Sequence, residues 1–162
     1  MKISQRIMAV AVVVIMLGTV GVASIAGLWQ TTNQKQPGSV VDPSGETRTD
    51  PQDIKGSYTF GEISSMYDVP LADLGNAFRI PEGTTVSSFQ CKSLETLELS
   101  GDGTLEVGVQ SVRWFVALYT GAPFTPTETL GLPPEAVAIL LEKASLDDAT
   151  KALLAASTVA GG

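Results

Sequence analysis

Few residues of this 162-residue chain have the types and spacing to do chemistry. The most suggestive run is Glu98-Leu99-Ser100-Gly101-Asp102-Gly103-Thr104-Leu105-Glu106-Val107-Gly108-Val109. It follows the frame of a calcium-binding loop, with glycine at the sixth place and an apolar residue at the eighth. Such a loop needs a bidentate carboxylate at its twelfth place, and here that place holds Val109. The run therefore reads as an Asp-Gly turn before a helix. Gly101-x-Gly103 lacks the later glycine and the lysine of a phosphate-cradling loop. Asp147-Asp148 could be an acid pair, but carboxylates in a first helical turn are ordinary complements to the helix dipole. Cys91, between Phe89 and Leu94, reads as a small buried hydrophobe. Trp114, Phe115 and Tyr119 could form an interaction surface, and at helical spacing they read first as core. No catalytic, cofactor-binding or metal-binding residue is assigned, and the sequence names no partner-binding residue.

Composition narrows the chemistry further. The chain has no histidine and one cysteine. That leaves no Ser-His-Asp or Cys-His nucleophile pair, no histidine or cysteine zinc site, no internal disulfide, no histidine-ligated haem and no iron–sulfur ligand set. The net charge of -7 argues against a nucleic-acid partner, which needs a basic face. An enzyme working through carboxylates alone would need two facing acids, and no spacing in the sequence points to such a pair. The expectation is that the chain is not an enzyme.

The elements that would position these residues fall into three parts. Residues 1–29 contain an uncharged run from Ile7 to Trp29, which as a helix would reach about 34 Å, enough for a hydrocarbon core of about 30 Å. With Lys2 and Arg6 before it, the positive-inside rule predicts a single transmembrane helix, N-terminus inside the cytoplasmic membrane and the rest outside. A cleaved signal peptide, using Ser24-Ile25-Ala26, is the competing reading. Residues 30–53 are polar and broken by Pro37-Gly38, Asp42-Pro43, Ser44-Gly45 and Asp50-Pro51, and they read as a flexible linker. Residues 54–162, carrying six basic and thirteen acidic side chains, read as an exported, all-α domain built from helix hairpins.

Within that domain Thr59-Phe60-Gly61-Glu62 is a capping box, and Phe60, Ile63, Met66 and Tyr67 share a helical face. Asp68-Val69 ends that helix. Pro70 opens the next, with Leu71, Leu74, Ala77 and Phe78 as its apolar stripe and Pro81 as its stop. A further helix is expected from Leu105 to Tyr119, capped by Gly121, with a strand at Leu105–Val109 as the alternative. Pro133-Pro134-Glu135 starts another, with Val137, Leu140, Leu141 and Ala144 inward. Ser145 is expected to cap the last, whose inward residues are Ala149, Ala152, Leu153 and Ala156. Pro70-Leu71 and Pro81-Glu82 recur faintly as Pro123-Phe124 and Pro134-Glu135, a possible duplication.

The run Ile54-Lys55-Gly56-Ser57-Tyr58-Thr59-Phe60-Gly61-Glu62-Ile63, then Tyr67-x-Val69-Pro70-Leu71-x-x-Leu74, then Ile80-Pro81-Glu82, resembles a small helical module of membrane redox proteins. Those are the haem or iron–sulfur electron-transfer proteins of anaerobic bacteria and archaea. Leu132-Pro133-Pro134-Glu135-Ala136-Val137 is similar to the module's second half, so the resemblance covers about 85 residues. It implies an accessory or docking subunit beside a membrane electron-transfer system, with no cofactor of its own. The reading is thus a membrane-anchored binding module whose partner is a membrane protein, with the bilayer engaged through Ile7 to Trp29. The alternative is a structural or assembly protein self-associating through that helix, where Gly18, Gly21 and Gly27 permit close contact.

Overall fold

The computed structural model describes residues 35–42, 44–97, 99–100, 103–126 and 129–159. The chain divides into two compact units, Met1–Gln36 and Pro37–Gly162. The described residues of the second unit form a short antiparallel hairpin, β1 (Ser39–Val41) and β2 (Thr47–Thr49), and five α-helices. These are α1 (Phe60–Tyr67), α2 (Leu71–Ala77), α3 (Val109–Thr120), α4 (Pro134–Lys143) and α5 (Asp148–Ala156). Three 3-10 turns, Pro51–Asp53, Val86–Ser88 and Cys91–Leu97, link them.

The expected all-α class with a flexible linker is corrected by the hairpin. Residues 39–49, expected as part of an unstructured tether, pair Ser39 with Thr49, Val40 with Arg48 and Val41 with Thr47. Polar chemistry holds the turn where apolar alternation is missing. The Asp42 carboxylate accepts from the Ser44 and Glu46 amides at 2.9 and 3.0 Å and from Arg48 Nε at 2.7 Å. Gly45, with φ of 89°, supplies the left-handed step. Past the hairpin, Pro51 is buried and the Tyr67 hydroxyl donates to the Asp50 carbonyl at 3.0 Å. Segment 37–53 therefore belongs to the packed unit.

The expected single-pass placement in the cytoplasmic membrane, N-terminus inside and domain outside, is corrected as well. No helix among the described residues is long and apolar enough to cross a membrane. The longest, α3, has 12 residues and reaches about 18 Å, against about 30 Å of hydrocarbon. The run from Ile7 to Trp29, on which that placement rested, lies outside the described residues.

Local signals build the first helix pair as expected. The Thr59 hydroxyl accepts from the Glu62 amide at 3.2 Å, and the Glu62 carboxylate accepts from the Thr59 amide at 2.8 Å. Asp68, at φ of 56°, ends α1 in the left-handed region, and α2 follows directly after Pro70. Helix α3 starts four residues later than expected. The Glu106 amide donates to the Thr129 carbonyl and its own carbonyl accepts from Gly131, so residues 105–107 are held extended beside 129–131. A parallel contact of the same kind joins Leu132 to Thr158.

The core forms where α1, α2, α3 and α4 meet. Phe60, Phe78, Phe89 and Phe115 interlock edge to face, with ring centroids 5.4 to 5.8 Å apart, an arrangement that adds to plain burial. Trp114, Phe115, Val112 and Val116 are buried on α3. The outer faces of the last two helices differ from expectation. Leu141 is 52% exposed and Leu153 is 43% exposed, while Leu154 is fully buried. The cap of α5 is Asp147, which accepts from the Thr150 amide at 2.7 Å, and not Ser145. Ala149, Ala152, Leu153 and Ala156, expected inward, are all exposed, and Leu154 is the buried residue of α5. Pro81-Glu82 forms a turn after α2 whereas Pro134-Glu135 opens α4, so the faint internal echo has no common structure behind it.

Candidate functional site

The titratable side chains that the fold draws together are Asp73, Tyr119 and Lys143, from α2, α3 and α4. Asp73 lies in the first turn of α2 and is buried. The Lys143 ammonium donates to its two oxygens at 2.7 and 2.9 Å, and the Tyr119 hydroxyl donates to Oδ2 at 2.8 Å. Lys143 is the last residue of α4, where a cation suits the helix dipole. Sequence separations of 46 and 70 residues explain why reading the chain missed the cluster: no local period connects its members.

Electrostatics fixes what this trio can do. Burial alone would raise the Asp73 carboxyl, but the hydrogen bonds from Lys143 and Tyr119 and the ammonium charge outweigh it, and the net shift is downward. The Tyr119 phenol is pushed up to about 12 by burial and by the Asp73 carboxylate it donates to. A general acid or base works best with a proton affinity near the operating pH. Here the acid and the phenol move away from neutrality in opposite directions, and each stabilises the other's resting form. The arrangement is a clamp across three helices.

A second ion pair has the same character. Arg79 Nε donates to Glu135 at 2.7 Å, joining the end of α2 to the first turn of α4. That guanidinium holds the Glu135 carboxyl below the usual range. On the hairpin the Ser44 and Arg48 hydrogen bonds pull Asp42 far down. The Arg48 side chain lies 3.7 Å from where a side chain on Gly121 would begin. Gly121 caps α3 at φ of 74°, so any side chain there would be strained and would meet Arg48.

The residues singled out in the sequence are dispersed. Cys91 is fully buried. Asp147 is a helix cap whose carboxyl is lowered first by Thr150, and Asp148 pairs with Lys151 at 3.3 Å on the surface. Trp114 and Phe115 are core, and Tyr119 belongs to the clamp. In the calcium-like run, Glu98, Gly101 and Asp102 lie outside the described residues, and Val109 opens α3. Among the described residues no group of three or more histidine, cysteine, aspartate or glutamate side chains could hold a metal ion.

A pocket of about 460 Å³ opens where the Cys91–Leu97 turn, the extended residues 105–107 and residues 129–130 meet the start of α3. Leu94, Val107 and Leu130 form its buried back, and Glu95 and Glu106 stand exposed at its mouth. Leu99, Ser100 and residues 106–109 of the calcium-like run line it together with residues 94–95 and 129–130, an assembly that no local period connects.

Fold and site together define a small helical domain with a polar hairpin strap, clamped by ion pairs between helices. Compared with protein-family models, with curated proteins and with solved structures, the chain matches none.

Proposed function

We infer that this domain is a non-catalytic docking module that binds a partner protein, as an accessory part of an electron-transfer system. The observation that carries the reading is the disposition of its reactive groups. Among the described residues, the buried Asp73 and Cys91 and the part-buried Tyr119 are built into helix packing. The proton affinities of Asp73 and Tyr119 are pushed away from the neutral range. What such a molecule offers to its surroundings is a rigid acidic surface. The partner class comes from the resemblance carried by residues 54–63, 67–74 and 80–82, whose redox counterparts hold haem or iron–sulfur centres that this chain has no ligands for.

An acidic surface of this size favours a partner with a basic face, since charge complementarity accelerates encounter and rejects acidic competitors. The test is cross-linking of the full chain in its native host, followed by identification of what is captured. Recovery of an electron carrier or a subunit of a respiratory complex, lost at high salt, is the expected result. Capture of nothing, together with normal respiration in cells lacking the chain, would overturn the reading.

A further inference from the structure

We propose that the pocket at the start of α3 is where the partner's chain is gripped, and that it takes a lysine or arginine side chain flanked by apolar residues. This rests on the docking reading and specifies the chemistry of the contact. Three observations converge on it. The pocket's volume, about 460 Å³, is of the size that receives a ligand or an anchoring side chain. Its back wall is aliphatic, from Leu94, Val107 and Leu130. Its mouth carries Glu95 and Glu106, both exposed, and neither carboxylate is in an ion pair among the described residues.

A long cationic side chain matches that sequence of surfaces from back to front. Its methylene stem lies along apolar walls while the charged head stays at the wet end, which is how lysine and arginine side chains partition generally. Among the described residues no basic side chain lines the pocket, so nothing in those walls repels such a head. An anionic side chain would meet two carboxylates and a domain of strongly negative net charge. A purely apolar one would leave both carboxylates partly desolvated without a partner, which is costly.

The wall at residues 106–107 is tied to its neighbours by hydrogen bonds. The Glu106 backbone is fixed on both sides, donating to Thr129 at 2.7 Å and accepting from Gly131 at 3.0 Å. The Val107 amide donates to the Ser100 hydroxyl at 3.2 Å, and the Ser111 hydroxyl donates to the Glu106 carbonyl at 3.3 Å. A preformed pocket lowers the ordering cost of binding.

Gly108 provides a way to close the pocket without disturbing the fold. Its φ of -161° is extended backbone open to any residue, and a Cβ there would meet only Glu95 Cγ, at 3.9 Å. The probe is a short fluorescent peptide alternating leucine and lysine, titrated against the full chain at physiological salt. Companion peptides replace lysine with glutamine or with glutamate. Binding of the lysine peptide is expected, with Gly108→Leu and the pair Glu95→Gln with Glu106→Gln each weakening it about ten-fold. The control pair Glu82→Gln with Glu142→Gln, which removes the same charge from exposed sites outside the pocket, is expected to weaken it less than about two-fold. Thermal unfolding of each variant verifies that it is folded.

Equal loss in the pocket and control pairs would mean diffuse charge attraction and overturn the assignment. So would binding indifferent to Gly108→Leu in a folded variant, or equal binding of the glutamine peptide. The two readings fail separately. Peptide binding unaffected by the pocket variants defeats the pocket even where cross-linking recovers a partner. Peptide binding abolished by them supports the pocket whatever the cross-linking yields.

Discussion

The carboxylate of Asp73 receives three hydrogen bonds from two helices other than its own, and its removal tests how far the clamp holds the domain together. Asp73→Ala leaves the Tyr119 hydroxyl and the Lys143 ammonium without their acceptor. Lys143 is part-exposed and can turn to water, while Tyr119 is more confined. A loss of about 2–3 kcal/mol is therefore expected in denaturant unfolding, with Tyr119→Phe costing about 1 kcal/mol. The acid limb of stability follows from the direction of the shift. Because folding lowers the Asp73 carboxyl, its contribution is complete above the ordinary unfolded value near pH 4 and drains away as pH falls through the lower folded value. Glu135, lowered by Arg79, adds in the same direction. At the alkaline end Tyr119 works in reverse, its contribution present below about pH 10 and lost as pH rises through about 12. Thermal midpoints measured from pH 2 to 5 should fall steeply in the native chain and more gently in Asp73→Asn. Identical slopes would remove Asp73 from the account.

At the level of the element, the two leucines of α5 separate what the sequence could reveal from what it could not. Leu153 and Leu154 satisfy an apolar helical period almost equally, so the period leaves the inward face open. The structure turns Leu154 into the core and leaves Leu153 43% exposed, a choice made by packing and not by the period. Leu154→Ala is expected to cost about 2–4 kcal/mol, and Leu153→Ser to change stability by no more than about 0.5 kcal/mol. Comparable losses at both positions, measured by chemical unfolding, would contradict the observed facing. The first helices were legible for the opposite reason. Thr59 and Glu62 meet across three residues, Asp68 and Pro70 punctuate within the same turn, and Gly121 ends α3 by its own conformational freedom. Where a signal is local it can be read locally. The late start of α3 was not local, since it follows from Glu106 pairing with Thr129 and Gly131. The clamp and the pocket were hidden for the same reason, being assembled from stretches far apart along the chain. Gly131 exposes this dependence: a Cβ there would stand 2.7 Å from Val159 Cγ1 and 2.8 Å from Leu105 Cβ. Gly131→Ala should therefore loosen both flanking segments together, seen as faster amide exchange at Glu106 and Val159.

For the molecule as a whole, the question is where the cooperative unit starts. Composition placed that boundary at Ile54, because residues 30–53 have too little apolar content to offset their ordering entropy. That inference counted only hydrophobic gain. Segment 37–53 is ordered by a different sum: the Asp42 turn and its Arg48 partner, the Asp53 carboxylate accepting from the Gly38 amide at 2.6 Å, and the Tyr67 hydroxyl on the Asp50 carbonyl. Arg113, on α3, continues the attachment by donating to the Ile54 carbonyl at 2.7 Å. Each net contribution is about 1 kcal/mol, small alone but all directed at one short segment. The strap in turn supplies the acceptor of the Tyr67 hydroxyl at the end of α1, so removing it leaves that hydroxyl without its partner. Limited trypsin digestion of the full chain therefore has a definite expectation. Arg48 and Lys55 should resist cleavage under native conditions, and the protected fragment should begin at or before Pro37. Rapid cutting after Arg48, leaving a core that unfolds at an unchanged temperature, would return the boundary to Ile54. Tyr67→Phe makes the same argument without a protease. Losing only the bond to Asp50, it should speed exchange at the Asp50 amide, which donates to Gly38, while leaving exchange in α4 at its native rate. A strap coupled to the helices through such contacts can be loosened in steps, and the order in which its amides lose protection would rank them.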